Sequence, residues 1–335
     1  MKKFIAFLCI FTLILPLCSC GKKKYTAYSF EYFDTVTTVI GYAESQKDFD
    51  EIQARIFSTL SEYHHLFDIY HTYENTENLC SLNEKRSIHA DSRILDMLSY
   101  AKDMYRKTNG KMNVAMGSVL SIWHDYREEG TSLPAQEILS KASAHTDIEN
   151  LILDIENGTV TLSDPEMTLD VGAIAKGYAV EMTAKMLEAD GISGYILNVG
   201  GNVRTIGTHA NGSPWTVGIE NPLENENPYL AYLALSGESL VTSGSYQRFY
   251  TVDGKNYHHI IDPETLMPSE YFLSVSVVCK NSAEADALST ALFCMSFEEG
   301  LVLIESIPEA EALWLFADGS QKNSSGFSDY LHRGS

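Results

Sequence analysis

Two periodicities share this chain without alternating regularly, and that restricts its fold more than any other feature. Phe49, Ile52, Ile56, Leu60, Tyr63 and Phe67 recur every three or four residues, which predicts an amphipathic helix with one stripe against a core. A second helix is predicted over 91–107, with Asp91 or Ser92 as N-cap and Asn109-Gly110 after its end. Strand signals then intervene. Segments 151–155 and 159–162 flank Glu156-Asn157-Gly158, a hairpin signal. A strand at 167–171, a helix at 173–190 and a strand at 195–199 come next. Further strands at 215–219, 229–235, 247–252 and 272–279 follow with no helix between them. A doubly wound chain would place a helix in each gap. The mixture predicts an α+β fold with mixed, largely antiparallel sheets and packed helices. The remaining elements expected are a strand over 28–42, a short helix over 134–145, helices at 282–295 and 297–306, and a strand at 312–317.

The 335 residues suffice for a sizeable core. No internal repeat or low-complexity linker divides them, so a single catalytic unit is expected over 27–335. Ahead of it, Lys2 and Lys3 precede an apolar run over 4–17. That run is short for a membrane span and suits a signal peptide. It ends in Leu17-Cys18-Ser19-Cys20, which resembles a bacterial lipobox with cleavage before Cys20. Residues 1–19 are therefore expected to be a lipoprotein signal peptide, and 20–26 a lipidated Cys20 with a short tether. The folded part is expected on the extracytoplasmic face of the cytoplasmic membrane, held by that lipid; an uncleaved N-terminal anchor is the competing reading.

The formal net charge of -21 argues against nucleic acid as a partner, because phosphate neutralisation needs a basic face. A phosphate-bearing ligand would need a locally positive site, which a bound divalent cation provides. Beyond the leader, Cys80, Cys279 and Cys294 are odd in number and give no disulfide framework. Neither C-x-x-C nor H-E-x-x-H occurs, so a zinc site is not supported.

Four stretches carry residue types suited to chemistry. Asp170-Val171-Gly172-Ala173-Ile174-Ala175-Lys176-Gly177 puts a glycine turn, a helix start and a lysine together, a setting that favours anions. A capped helix with a solvated lysine explains it equally well. Asp286 and Thr290 lie four residues apart on one helical face and offer oxygens to a hard cation. His258 and His259 point to opposite faces if extended, and either one alone reads as a general base or as a structural residue. Gly200-Gly201-Asn202 and Thr242-Ser243-Gly244-Ser245-Tyr246 read as turns that allow close backbone approach to a ligand.

Taken together, five blocks resemble one family in its own order: D-V-G-A-I-A-K-G from Asp170, N-V-G-G-N from Asn198, T-S-G-S-Y from Thr242, H-I-I-D-P from His259 and E-A-D-A-L-S-T from Glu284. Each is moderately specific. In sequence, behind a lipobox, they are similar to the ApbE-type FAD:protein FMN transferases over essentially the whole mature chain. The resemblance implies an ApbE-like, T-fold-related architecture. It implies transfer of FMN from FAD, the substrate, onto a Thr or Ser hydroxyl of extracytoplasmic flavoprotein targets, with release of AMP. Those targets would be subunits of redox complexes bearing Gly-Ala before the modified Thr or Ser. It implies Mg2+ held by the Ala173 carbonyl, Asp286 and Thr290. It implies FAD contacts from Phe33, Tyr70, Lys111, Met112, Asn113, Asp170, Lys176 and Ile261, with His259 as the base. One position departs from the family: Leu266 stands where a glycine is common, and a leucine there is expected to resist positive φ. An FAD pyrophosphatase giving FMN and AMP, or a non-catalytic flavin-binding lipoprotein, are the readings that compete.

Overall fold

The computed structural model describes residues 21–223 and 227–333. The predicted signal peptide and Cys20 lie outside the described residues.

The chain opens with a hairpin of β1 (Lys23–Tyr32) and β2 (Thr35–Ala43), followed by α1 (Gln46–Phe67) and α2 (Leu79–Lys85). Then come β3 (Ser87–His89), α3 (Ser92–Lys107), α4 (Gly117–Glu129) and α5 (Gln136–Ser143). The hairpin β4 (Leu151–Asp154) and β5 (Thr159–Leu162) pairs with β3 in a small sheet. After α6 (Ala175–Ala189) come β6 (Tyr195–Val199), β7 (Asn202–Ile206), β8 (Trp215–Glu220), β9 (Tyr229–Leu235) and β10 (Ser239–Gly244). The ribbon β11 (Phe249–Val252) and β12 (Lys255–His258) precedes β13 (Ser274–Cys279), α7 (Ser282–Phe293), α8 (Phe297–Glu305), β14 (Glu311–Leu315) and β15 (Gln321–Asn323).

The main sheet has eight strands in the order β1-β2-β6-β7-β10-β13-β14-β15, and its pairings are antiparallel. The predicted α+β class is the one observed. Alternation along each strand builds a core on both faces of this sheet. Val241, Val277 and Trp314 enter the larger core, beneath α1, α6 and α7. Their neighbours Leu240, Val278 and Leu313 point the other way, with Val203, into a smaller core closed by Trp215, Val217, Leu233 and Leu235 of the β8–β9 hairpin. Almost every residue of α7 is buried, so it is an interior helix rather than a surface one. Asn281 caps it, accepting hydrogen bonds from the Ala283 and Glu284 N–H groups. Cys80, Cys279 and Cys294 are all buried free thiols.

Several local expectations are corrected. The single strand predicted over 28–42 is a hairpin, turned by Phe33 and Asp34 at φ 55° and 50°. A two-residue turn between twisted strands needs positive φ at both positions, and Phe-Asp carries none of the usual Asn-Gly signal. Segment 167–171 is extended but joins no sheet. Its Leu169 N–H donates to Asn83 Oδ1 (2.8 Å), and the Asp170 N–H donates to the Val114 carbonyl (2.9 Å). The helix after it starts at Ala175, two residues later than predicted. Thr242, Ser243 and Gly244 end strand β10 instead of forming a turn. Leu266 does adopt positive φ, 61°. Its side chain is buried beside Trp123, whose indole N–H donates to the Leu266 carbonyl (2.9 Å), and that packing offsets the backbone strain.

Candidate active site

A cavity of about 770 Å³ opens where the α6–α7 layer meets the ends of β7 and β10. Its other walls are the β1–β2 turn, the loop 68–73, α4, and the segment 259–263 after β12. The structure brings every sequence-predicted site residue to this one wall: Phe33, Tyr70, Lys111, Met112, Asn113, Asp170, Ala173, Lys176, His259, Ile261, Asp286 and Thr290.

The floor is the crossing of α6 and α7. Gly177 makes it possible: a Cβ there would stand 2.4 Å from the Ser282 carbonyl oxygen and 2.5 Å from Asp286 Cβ. The same closeness redirects a backbone bond. The Gly177 N–H, which in a continued helix would seek the Ala173 carbonyl four residues back, donates to Asp286 Oδ2 at 2.8 Å. Among the described residues, no hydrogen bond reaches the Ala173 carbonyl oxygen. Burial pushes the Asp286 carboxyl pKa up, against the nearby positive charge of Lys176. Thr290 follows one turn later, its Oγ1 3.4 Å from Ser243 Oγ. A buried carboxylate, an unpaired carbonyl and a hydroxyl form an oxygen-only donor set, which fits a hard divalent cation that keeps water or ligand oxygens in its remaining positions. Behind them, Glu181 Oε2 accepts from Arg204 Nε (3.2 Å) and from the Ser282 N–H (2.9 Å), locking the start of α7 to α6 and β7.

Asp170 and Lys176 flank this floor. Asp170 Oδ1 accepts from the Gly172 N–H (2.8 Å), and burial raises its pKa despite that bond and the nearby Lys176. Lys176, in the first turn of α6, reaches back to the Gly172 carbonyl (3.2 Å).

The two adjacent histidines separate cleanly. His258 is buried. Its Nε2–H donates to the Ser269 carbonyl (2.7 Å), and its Nδ1 accepts from the Ile260 N–H (3.2 Å), so neither ring nitrogen is left for a ligand. His259 faces the cavity. Its Nδ1–H donates to the Arg248 carbonyl (3.2 Å), which leaves Nε2 as the atom with a lone pair. Burial first, then the positive charges of Arg248 and Lys176, push its pKa down to about 3. The ring is therefore neutral at physiological pH and able to accept a proton.

Lys111 spans the cavity wall with its ammonium paired to Asp262 (2.9 Å) and Glu264 (3.1 Å). Met112 is buried, and the Asn113 side chain is committed to the Thr146 carbonyl and the Ala115 N–H. Tyr70 is different: its ring is 57% exposed and lies 5.7 Å from that of His124.

Several wall residues were not among those expected from the sequence. Asp68 anchors the loop that carries Tyr70, accepting from the Tyr70 and His71 N–H groups and from the Tyr73 hydroxyl (2.7 Å). Burial opposes its charge, but these bonds win and hold its pKa below the usual carboxylate range. His124 and Arg127, three apart on α4, touch at 2.8 Å. Arg248 donates to the Asp34 carbonyl (3.3 Å) and ties the β1–β2 turn to the His259 segment. The clue to the loop was available: Asp68-Ile69-Tyr70-His71 directly after a helix is the spacing of an Asx turn. The cavity wall carries four Lys or Arg side chains and four Asp, a local balance inside a chain of net charge -21.

This arrangement defines an α+β enzyme whose cavity has aromatic side chains on its wall and oxygen donors on its floor. Residues 30–314 match the sequence model of the ApbE family. The FAD:protein FMN transferase of Salmonella typhimurium is 31% identical over 72% of this chain and 73% of its own. That of Haemophilus influenzae is 29% identical over 98% of both. The crystal structure of the ApbE protein from Thermotoga maritima superposes with a TM-score of 0.81 at 26% identity, covering 93% of this chain and 100% of that one. The chain belongs to the ApbE family.

Proposed function

We propose that this protein is an FAD:protein FMN transferase. It takes FAD as substrate, attaches the FMN moiety to a Thr or Ser hydroxyl of a target protein, and releases AMP. The observation that carries the reading is the floor itself: a free Ala173 carbonyl, Asp286 and Thr290 share one cavity with a neutral His259. These oxygens would hold Mg2+. A bound Mg2+ supplies charge neutralisation at the pyrophosphate.

The chain's own residues account for the rest. Tyr70 and Phe33 offer aromatic surface to the flavin ring, and Lys176 offers positive charge to the phosphates. The target hydroxyl oxygen forms a new bond to the flavin-side phosphorus as the P–O bond to the AMP phosphate breaks. His259 Nε2 takes the hydroxyl proton. A pyrophosphate beside the ring favours the imidazolium and raises the pKa of His259 from its empty-site value, towards the range where a base works well. Water in place of the hydroxyl would give FMN and AMP, the pyrophosphatase outcome.

The protein is further proposed to act outside the cytoplasmic membrane, tethered through lipid on Cys20, on flavoprotein subunits of redox complexes with a Gly-Ala-Thr/Ser acceptor site. The supports are the Lys2-Lys3 charge, the apolar run and the Leu17-Cys18-Ser19-Cys20 sequence. The test of the activity is intact mass spectrometry of an acceptor domain incubated with the chain from Gly21 onward, FAD and Mg2+. An added FMN mass that disappears when the acceptor Thr becomes Ala supports transfer. Flavin that never becomes covalent refutes it.

A further inference from the structure

We infer that His64 is a positioning residue: it holds the β1–β2 turn in its left-handed form and so fixes the Phe33 ring in the cavity wall. The inference rests on the transferase reading above, in which Phe33 meets the flavin. Tyr32 and Thr35 pair across the hairpin, which leaves Phe33 and Asp34 alone in the turn. Both have positive φ, 55° and 50°, and neither is glycine. For a side chain as bulky as phenylalanine this region is an outlier that the surroundings must sustain. The hairpin ladder ends at the flanking pair, so the Phe33 N–H and the Asp34 carbonyl must be satisfied from elsewhere. Both partners come from distant segments. The Phe33 N–H donates to His64 Nδ1 (3.3 Å), and the Arg248 guanidinium donates to the Asp34 carbonyl (3.3 Å).

His64 suits the task. It lies in the last turn of α1 beside buried Leu60, Tyr63 and Phe67, so its backbone is anchored in the core. Its ring also meets that of Phe33 edge to face, with centroids 5.4 Å apart and planes at 74°. One side chain thus holds the backbone and the ring of the same residue, and both rings line the cavity. The bond needs a lone pair on Nδ1, so the ring is neutral with its proton on Nε2. Burial, opposed by the charge of Asp68, lowers the His64 pKa and favours that form. Stability alone would favour glycine in the turn, which adopts positive φ without a clamp. The chain keeps phenylalanine and supplies the clamp, which places an aromatic face at the cavity.

The experiment measures FAD affinity by flavin fluorescence in EDTA, where no turnover consumes it, together with melting temperature and the kcat for AMP release in Mg2+. Wild type, His64→Ala, His64→Asn and His64→Gln are compared, and Phe33→Ala with and without His64→Ala. Asparagine carries its oxygen on Cγ, as histidine carries Nδ1, whereas glutamine carries it one bond further out. The expected result is FAD affinity weakened about fivefold in His64→Ala and His64→Gln, the worth of one net hydrogen bond, and within about twofold of wild type in His64→Asn. The kcat should stay within about twofold in all three. In the Phe33→Ala background, His64→Ala should add less than about twofold, because the ring it positions is gone. Should His64→Ala fail to fold, the comparison of His64→Asn with His64→Gln decides alone. Wild-type FAD affinity in His64→Ala and His64→Gln would overturn the inference and leave the transferase reading standing; a lowered melting temperature beside it would show a structural role only. Equal weakening in His64→Asn and His64→Gln would remove the need for an acceptor at Nδ1. A full fivefold loss in the Phe33→Ala background would show that His64 does not act through Phe33. Either result overturns the inference. A wild type that binds no FAD would remove the transferase reading, and this inference with it.

Discussion

The floor of the cavity and its outer wall are built in opposite ways. On the floor, α6 and α7 meet through a glycine with no room for a methyl group, and a buried Glu181–Arg204 pair fastens the crossing. Asp286 there is 4% exposed and is held by the Gly177 N–H. On the wall, Tyr70 is more than half exposed, and it rides on a loop organised by a single carboxylate, Asp68. The contrast separates two tasks. On the proposed reading, Asp286 and Thr290, which would hold the cation, sit on a packed helix that resists displacement, as preorganised electrostatics requires. Tyr70 and Phe33, proposed to meet the flavin, sit on a loop and a hairpin turn, where adjustment is tolerated.

That division predicts a graded set of effects. The largest should come from Asp286→Ala, with metal-dependent turnover falling on the order of 10³-fold because a cation is worth several kcal/mol to a developing phosphate charge. FAD binding in EDTA should survive. Near-normal turnover at saturating FAD and modest Mg2+ would move the chemistry off the floor. His259→Ala should cost roughly 10²-fold in transfer with FAD binding retained, the lower end of what a lost general base costs.

His258→Ala is the internal control for that change. It should leave turnover per folded molecule near wild type while lowering stability by about 1–3 kcal/mol, since the Ser269 carbonyl and Ile260 N–H lose their partner. If this variant, not His259→Ala, abolished transfer, the two rings would have exchanged roles. Gly177→Ala should cost a similar 1–3 kcal/mol by overpacking the α6–α7 crossing, and should weaken metal binding at the same time. A melting temperature equal to wild type would contradict the described contact.

Acid should find the same region. His258 and His259 both have folded-state pKa values depressed, with burial as the leading cause. Below the unfolded value of about 6.5, the unfolded chain binds protons that the folded chain does not. Stability is therefore present above about pH 6.5 and is lost as pH falls below it towards the folded values. Each histidine contributes up to about 1.4 kcal/mol per pH unit. Urea midpoints measured from pH 7 to pH 5 should fall, and His258→Ala should flatten the slope; an unchanged slope would contradict the assignment. The smallest effect belongs to the wall. Tyr70→Leu should raise the KM for FAD about three- to tenfold, the worth of one aromatic contact, with kcat little changed. A collapse of kcat instead would give the wall a part in the chemistry.

The same contrast explains what could be read from the sequence. The floor is written in contiguous blocks. Asp170 to Gly177 and Glu284 to Thr290 each carry their chemistry within a few residues, because a helix start and one helix face place near neighbours together. The α+β class was legible from the missing βαβ rhythm for a similar reason. Part of the wall was illegible, because His124, Arg127 and Arg248 come from distant segments that only the folded chain assembles. The β1–β2 turn was missed because Phe33 and Asp34 adopt positive φ with no glycine to announce it. Leu266 misled in the opposite sense: intrinsic preference argued against the conformation that burial beside Trp123 sustains.

On the proposed reading, the floor couples pyrophosphate cleavage to attachment of the flavin. The most direct test counts AMP released against flavin covalently bound to an acceptor protein in the same reaction, with Mg2+ and with EDTA. One AMP per attached flavin, with both products absent in EDTA, is the result predicted here. AMP accompanied by free FMN, or flavin attached equally well in EDTA, would contradict it.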